Sequence, residues 1–161
     1  MINASASEVS TSSFPQQGLY LLVVHLPTAA SLRVGKKRII NFPAGYYGYV
    51  GRAKKNLRAR LKRYLSPYRQ KHWHIDYLLD QAVIHNIWTS QDEKLISLEK
   101  EECRLAAAMR HHFPCQPPQL TGLGASDCRC PGHFIFLGHN LPQINLVLTQ
   151  LQLMRRKING I

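Results

Sequence analysis

Acidic residues are scarce in this 161-residue chain: 9 Asp and Glu stand against 21 Lys and Arg, a formal net charge of +12. None occurs between Glu8 and Asp76. Long apolar runs are missing too, and nothing approaches the roughly 18 uninterrupted apolar residues that a membrane helix needs. The first 17 residues carry no Lys or Arg, so the basic start of a secretory signal is lacking and a disordered tail over 1–17 is expected. Cysteine is limited to Cys103, Cys115, Cys128 and Cys130. Without a secretory signal these read as thiols in a reducing, cytoplasmic setting. The chain has no Walker loop, no G-x-S-x-G elbow and no H-E-x-x-H helix, which removes three common catalytic frameworks.

What is present is a globular composition, 45% apolar and 19% charged, with enough length for one domain and its core. The positive charge is concentrated, with 13 basic residues between Arg33 and Lys71. Such a stretch repels itself unless a polyanion meets it, so DNA or RNA is the expected partner. An anionic membrane surface fits less well, because the basic stretch lacks a large apolar face. No membrane partner is expected. A cytoplasmic location follows, with association with the nucleoid as the form that DNA binding would take.

The pattern predicts strands over Gly18–Leu26 and Tyr46–Val50, the latter closed by Gly51, and a hairpin of Ser31–Val34 with Lys37–Phe42. Leu57, Leu61, Tyr64 and Leu65 share one face of a helix from about Asn56 to Leu65, which Ser66-Pro67 ends. A short helix over His74–Asp80 and a strand over Val83–Thr89 follow. A helix from about Ser97 to His112 has Ser97 as N-cap and acidic residues in its first turns. A strand over His133–Leu137 and a C-terminal helix over Asn145–Ile158 complete the order. The expected fold class is α+β, a small, mostly antiparallel sheet flanked by helices. Residues 18–140 form the domain, and 141–161 form a helix or tail.

On the second helix, Leu98, Glu102, Leu105, Ala106 and Met109 lie along one stripe, while Glu101 is rotated away and can be solvated. A carboxylate within an apolar stripe needs a cation, a proton or a metal. A buried ion pair with one of the arginines is the plainer reading of Glu102. Arg60 lies beside the apolar face of its helix, next to Tyr64. Tyr20 and Tyr49 sit in neighbouring strands, each beside a glycine. Read singly, these are a surface arginine and two core tyrosines. Taken together they form a phosphodiester toolkit. The carboxylate can hold Mg²⁺ or Mn²⁺, the arginine can neutralise phosphoryl charge, and the phenols can relay a proton.

Gly18-Leu19-Tyr20 and Tyr49-Val50-Gly51 resemble the paired signatures of the GIY-YIG nuclease superfamily. The segment Gly51 to Leu61 resembles its helix opening, with Arg60 at the catalytic arginine position, and Glu102 matches its metal-binding glutamate. The strings around His72-Trp73-His74-Ile75-Asp76, Glu102-Cys103-Arg104-Leu105-Ala106 and Ser126-Asp127-Cys128-Arg129-Cys130 resemble an uncharacterised subfamily, found alone or fused to DNA-repair enzymes. The resemblance covers about Gly18 to Leu137. It implies a metal-dependent endonuclease of DNA repair or processing, with Tyr20, Tyr49, Arg60 and Glu102 catalytic and Glu102 on Mg²⁺. The alternative is a catalytically weak nucleic-acid-binding module of the same fold. The gap between the two tyrosines is longer than usual, which an extra hairpin around Gly35 accommodates. Tyr64 stands near the place where a histidine is common after the arginine.

Contacts to nucleic acid are expected from Arg52, Lys54, Lys55, Arg58, Lys62, Arg63, Lys71 and His72. Cys128, Cys130 and His133 supply three soft donors within six residues that could hold Zn²⁺, with Cys103, Cys115 or His112 as a fourth. The C-x-C spacing is tight for a zinc knuckle, so small buried thiols without metal are the favoured reading.

Overall fold

The computed structural model describes residues 14–90 and 100–151, and the backbone of 153–156. In chain order the elements are β1 (Gly18–Leu26), β2 (Ala30–Val34), β3 (Arg38–Phe42), β4 (Gly45–Ala53), α1 (Leu57–Leu65), α2 (His74–Leu78) and β5 (Val83–Ser90). There follow α3 (Glu101–His112), a single 3-10 turn at Pro118–Leu120, β6 (Phe134–Gly138), α4 (Leu141–Gln150) and β7 (Leu153–Arg156). Five strands make one antiparallel sheet in the order β6-β4-β1-β5-β7, and β2 with β3 forms a separate hairpin. The α+β class expected from the sequence is the one observed.

β1 reads as an almost continuous apolar run because it is the central strand and is covered on both faces. Tyr20, Leu22, Val24 and Leu26 face α1 and α2, packing with Leu57, Leu61, Tyr64, Ile75 and Leu78. Leu21 and Val23 face the other way, joining Val50 and Trp88 beneath Ala106 and Met109 of α3 and Ile144 and Leu148 of α4. Each fully buried leucine contributes about 1.5–3 kcal/mol, so both helix layers are held by the same strand.

Several boundaries differ from expectation. Phe14 is buried rather than part of a loose tail, and its carbonyl accepts two hydrogen bonds from the Arg58 guanidinium, at 3.1 and 2.9 Å. The Leu57 amide donates to the Gln16 carbonyl at 2.9 Å, so residues 14–16 finish the start of α1. β4 does not stop at Gly51 but runs to Ala53, because Gly18 to Leu26 offers it an unbroken partner. The C-terminal helix begins at Leu141, with Pro142 in its first turn and the Asn140 side chain accepting from the Gln143 amide at 3.2 Å. It ends at Gln150, and the chain then pairs as β7 with β5, covering an edge that would otherwise be bare. Arg155 and Arg156 therefore sit on a strand and not at a basic helix end. Ser97 and Leu98, expected at the start of α3, lie outside the described residues.

Candidate functional site

The tyrosines of the two glycine-flanked signatures meet on the α1 side of the sheet. Tyr20 is 1% exposed and its hydroxyl lies 3.0 Å from that of Tyr64. Tyr49 packs edge-on to Tyr64, with ring centres 6.4 Å apart, and lies 5.3 Å from the Phe134 ring. The Tyr20 ring crosses directly over Gly51, its partner on β4: a Cβ at position 51 would stand 2.4 Å from the ring and from its hydroxyl. Burial raises the pKa of all three tyrosines, so the phenols stay neutral. The hydroxyl bond to Tyr64 and the Arg60 charge oppose that rise at Tyr20. The half-buried Arg60 stacks 5.5 Å from the Trp73 ring centre and donates to the Arg52 carbonyl at 2.9 Å.

Glu102 is placed differently. Side chains alternate along β4, so Arg52 follows Val50 onto the α3 side, opposite Tyr49 and Gly51. There the Arg52 Nε stands 3.0 Å from Glu102 Oε2. This is an ion pair without hydrogen-bond alignment, because Oε2 is buried and accepts no hydrogen bond. The pair is partly open, the two side chains being 13% and 17% exposed. It borders a cleft of about 610 Å³ that Lys100, Asp127 and Arg129 also line. Tyr20, Tyr49 and Arg60 do not line it. The structure thus brings Tyr20, Tyr49 and Arg60 together, and among the described residues Arg52 links Glu102 to them. Glu101, expected in solvent, is 5% exposed and accepts a 2.7 Å bond from Arg104, which satisfies its carboxylate.

The cysteines form a third group beside Glu102. One ligand atom from each of Cys103, Cys128, Cys130 and His133 lies within 4.8 Å of all the others, so these residues could hold a metal ion. Of the residues considered as a fourth donor, Cys103 is the one that joins Cys128, Cys130 and His133. Cys115 is exposed and lies outside the cluster. The arrangement arises because α3 carries Cys103 to a loop closed at its base. The His133 amide donates to the Leu123 carbonyl at 2.8 Å, and Gly122 donates to Pro131 at 2.8 Å. Gly132, at φ +121°, permits this closure, since a Cβ there would come within 2.7 Å of the Leu123 carbonyl oxygen. Burial and the neighbouring thiols push Cys103 up to about 12, and burial lowers His133 against the pull of Glu102 and Asp127.

Some of the expected nucleic-acid contacts are exposed, and others are engaged in internal contacts. Lys54, Lys55, Lys62 and His72 are exposed. Arg58 holds Phe14, Arg63 pairs with buried Asp76 at 3.0 Å, and Lys71 pairs with Asp80. Arg52 holds Glu102. Asp76, not singled out from sequence, accepts the His72 and Trp73 amides, each at 2.8 Å, and closes the start of α2. His74 accepts from the Gly124 amide at 2.8 Å, tying that helix to the cysteine loop. Asp127 was also not singled out, although it sits within the cysteine string that the sequence made conspicuous.

Among the described residues no helix is long and apolar enough to cross a membrane. No curated protein and no solved structure matches the chain. A family model, the domain of unknown function DUF123, matches residues 19–156. That span begins in β1, ends in β7 and includes the tyrosine cluster, the Glu102 cleft and all four cysteines. The chain therefore belongs to the DUF123 family.

Proposed function

We propose that this domain binds nucleic acid on the basic surface around α1 and hydrolyses a phosphodiester bond with a divalent cation held at Glu102, as the GIY-YIG resemblance implies. The observation that carries this reading is a continuous line of contacts. Arg60 lies against Tyr20 and bonds the Arg52 carbonyl, and the Arg52 side chain holds Glu102. Glu102 and Asp127 are hard oxygen donors lining one cleft, a set that suits Mg²⁺ or Mn²⁺ with water filling the remaining positions. Glu102 Oε2 accepts no hydrogen bond but lies 3.0 Å from Arg52 Nε, so a cation at this carboxylate would have to displace that ion pair or use the other oxygen. Cys103, Cys128 and Cys130 line the same cleft, and their thiols are poor ligands for Mg²⁺, so the two donor sets suit different metals.

The cation would polarise a phosphoryl oxygen and acidify a bound water. Arg52 orients Glu102 through their ion pair, and Arg60 is placed to offset charge building on the phosphoryl oxygens. Tyr20 and Tyr49, kept neutral by burial, can exchange a proton only through their hydroxyls, and Tyr64 is the partner already bonded to Tyr20. A second reading, binding without hydrolysis, is favoured by the near-complete burial of Tyr20 and by the arginine already paired with Glu102.

A cleavage panel of single-stranded, duplex, flapped and branched DNA, and RNA, separates the readings. Under the first, wild type cleaves with Mg²⁺ or Mn²⁺, and Glu102→Ala abolishes cleavage while keeping or improving binding. Arg60→Ala costs about 3 kcal/mol of transition-state stabilisation, roughly a hundredfold in rate. Binding to duplex DNA should have a log–log salt slope of about −4 to −5 if about five phosphates are neutralised. Lys54→Glu with Lys62→Glu should flatten it, and these two are chosen because Arg58 is spent on Phe14. Salt-dependent binding with no cleavage by any substrate leaves the binding module, and no binding at low salt removes both readings.

A further inference from the structure

We infer that Cys103, Cys128, Cys130 and His133 form a structural Zn²⁺ site that clamps the first turn of α3 to the loop between Leu123 and His133. A tetrahedral zinc with three thiolates and one imidazole separates its ligands by about 3.8 Å between sulfurs and about 3.5 Å between sulfur and nitrogen. The structure has Cys103 Sγ at 3.4 Å and Cys128 Sγ at 3.7 Å from His133 Nε2, with Cys128 and Cys130 Sγ atoms 3.1 Å apart. All four donor atoms lie within 4.8 Å of one another. Two independent elements deliver them: a helix supplies Cys103, and a loop stapled at its base supplies the rest.

Thiolate and imidazole donors in a closed set of four are the chemistry of Zn²⁺, not of Mg²⁺ or Ca²⁺. The loop has reason to need such a clamp. Ser126, Asp127 and Arg129 are exposed, and of the segment between Gly124 and Cys130 only Ala125 is buried. A metal would supply the cohesion that an apolar core supplies elsewhere, as it does in other small loop-rich folds. Because Glu102 precedes Cys103, the same clamp sets where the carboxylate stands, but the site does not depend on Glu102 being catalytic.

The test uses the full chain, purified without chelator. Metal analysis should find one zinc per chain. After removal of zinc under reducing conditions, titration with Co²⁺ should develop the thiolate charge-transfer and intense visible bands of tetrahedral coordination, and Zn²⁺ should bleach them. Cys128→Ser and Cys130→Ser should lose zinc, whereas Cys115→Ser and Glu102→Ala should keep it. Retention by Glu102→Ala with loss of cleavage separates this site from the proposed catalytic cation. Wild-type protein that holds no zinc and gives no Co²⁺ spectrum after reduction overturns the inference, and this result needs no variant to fold. Iron in place of zinc, or zinc retained by Cys128→Ser and Cys130→Ser alike, overturns it equally.

Discussion

Gly51→Ala isolates the closest approach in the tyrosine cluster. The added methyl would stand 2.4 Å from both Cζ and the hydroxyl of Tyr20 and 2.8 Å from Cε1. Ordinary carbon contacts need about 3.5–4.0 Å, so the ring has to move by more than 1 Å. Tyr20 is 1% exposed and lies against Tyr64 with ring centres 6.0 Å apart, so no open space receives it. Overpacking of this kind costs about 1–3 kcal/mol. A shifted ring also breaks the Tyr20–Tyr64 hydroxyl bond, and stranding buried polar groups costs about 1–3 kcal/mol more. The expected destabilisation is about 4 kcal/mol, a large part of the roughly 5–15 kcal/mol that holds a domain folded. With a urea m-value of about 2 kcal/mol/M, the unfolding midpoint should fall by about 2 M. Gly48→Ala is the comparison, because there the nearest atom is the end of the Leu21 side chain at 3.1 Å. A Gly51→Ala protein whose midpoint stays within about 0.3 M of wild type would show that the ring is not held as described.

Two further outcomes follow from groups buried around α2. Asp76→Ala leaves the His72 and Trp73 amides and Arg63 without their carboxylate, and should destabilise by about 3 kcal/mol in urea unfolding; a change below about 0.5 kcal/mol would count against a structural role. His74 has its pKa lowered from 6.5, first by burial and then by Arg38. The unfolded chain therefore takes up the proton first, so His74 weakens the fold as pH falls from about 6.5 towards its native pKa, with no effect above that range. His74→Gln should reduce the slope of stability against pH between about 7 and 5, and an unchanged slope would rule His74 out.

The sequence was most legible where one periodicity and one face decided the outcome. Gly18–Leu26 and the Leu57–Leu61–Tyr64 stripe lie where their patterns put them, because burial against the neighbouring element follows directly from spacing. The end of β4 was not legible, since Gly51 reads as a stop when taken alone. It continues as strand because glycine makes room for the Tyr20 ring. β7 was hidden because its four residues prolong a helical pattern, and only the open edge of β5 gives them a reason to extend. In the site, helical projection located Glu102 but misjudged Glu101, whose burial comes from tertiary packing rather than its own stripe. The choice of Cys103 over Cys115 required knowing how α3 lies against the loop. Arg52 could be counted as a basic residue, but its side of the sheet depends on strand register.

The dependence of α1 on residues 14–16 bears on how the basic surface comes into being. A nine-residue helix is too short to persist alone in water. Its first amide is satisfied by a carbonyl 41 positions upstream, and Arg58 reaches back 44 positions to Phe14. Joining such distant stretches carries a loop-closure cost that only the formed sheet repays. Exposed Lys54, Lys55 and Lys62 therefore become a shaped surface only after β1 and β4 have paired and the Phe14 segment has docked. A synthetic peptide copying α1 would keep the charge but lose the spacing between charges, and a chain begun at Gly18 would start folding without the contact that finishes the helix.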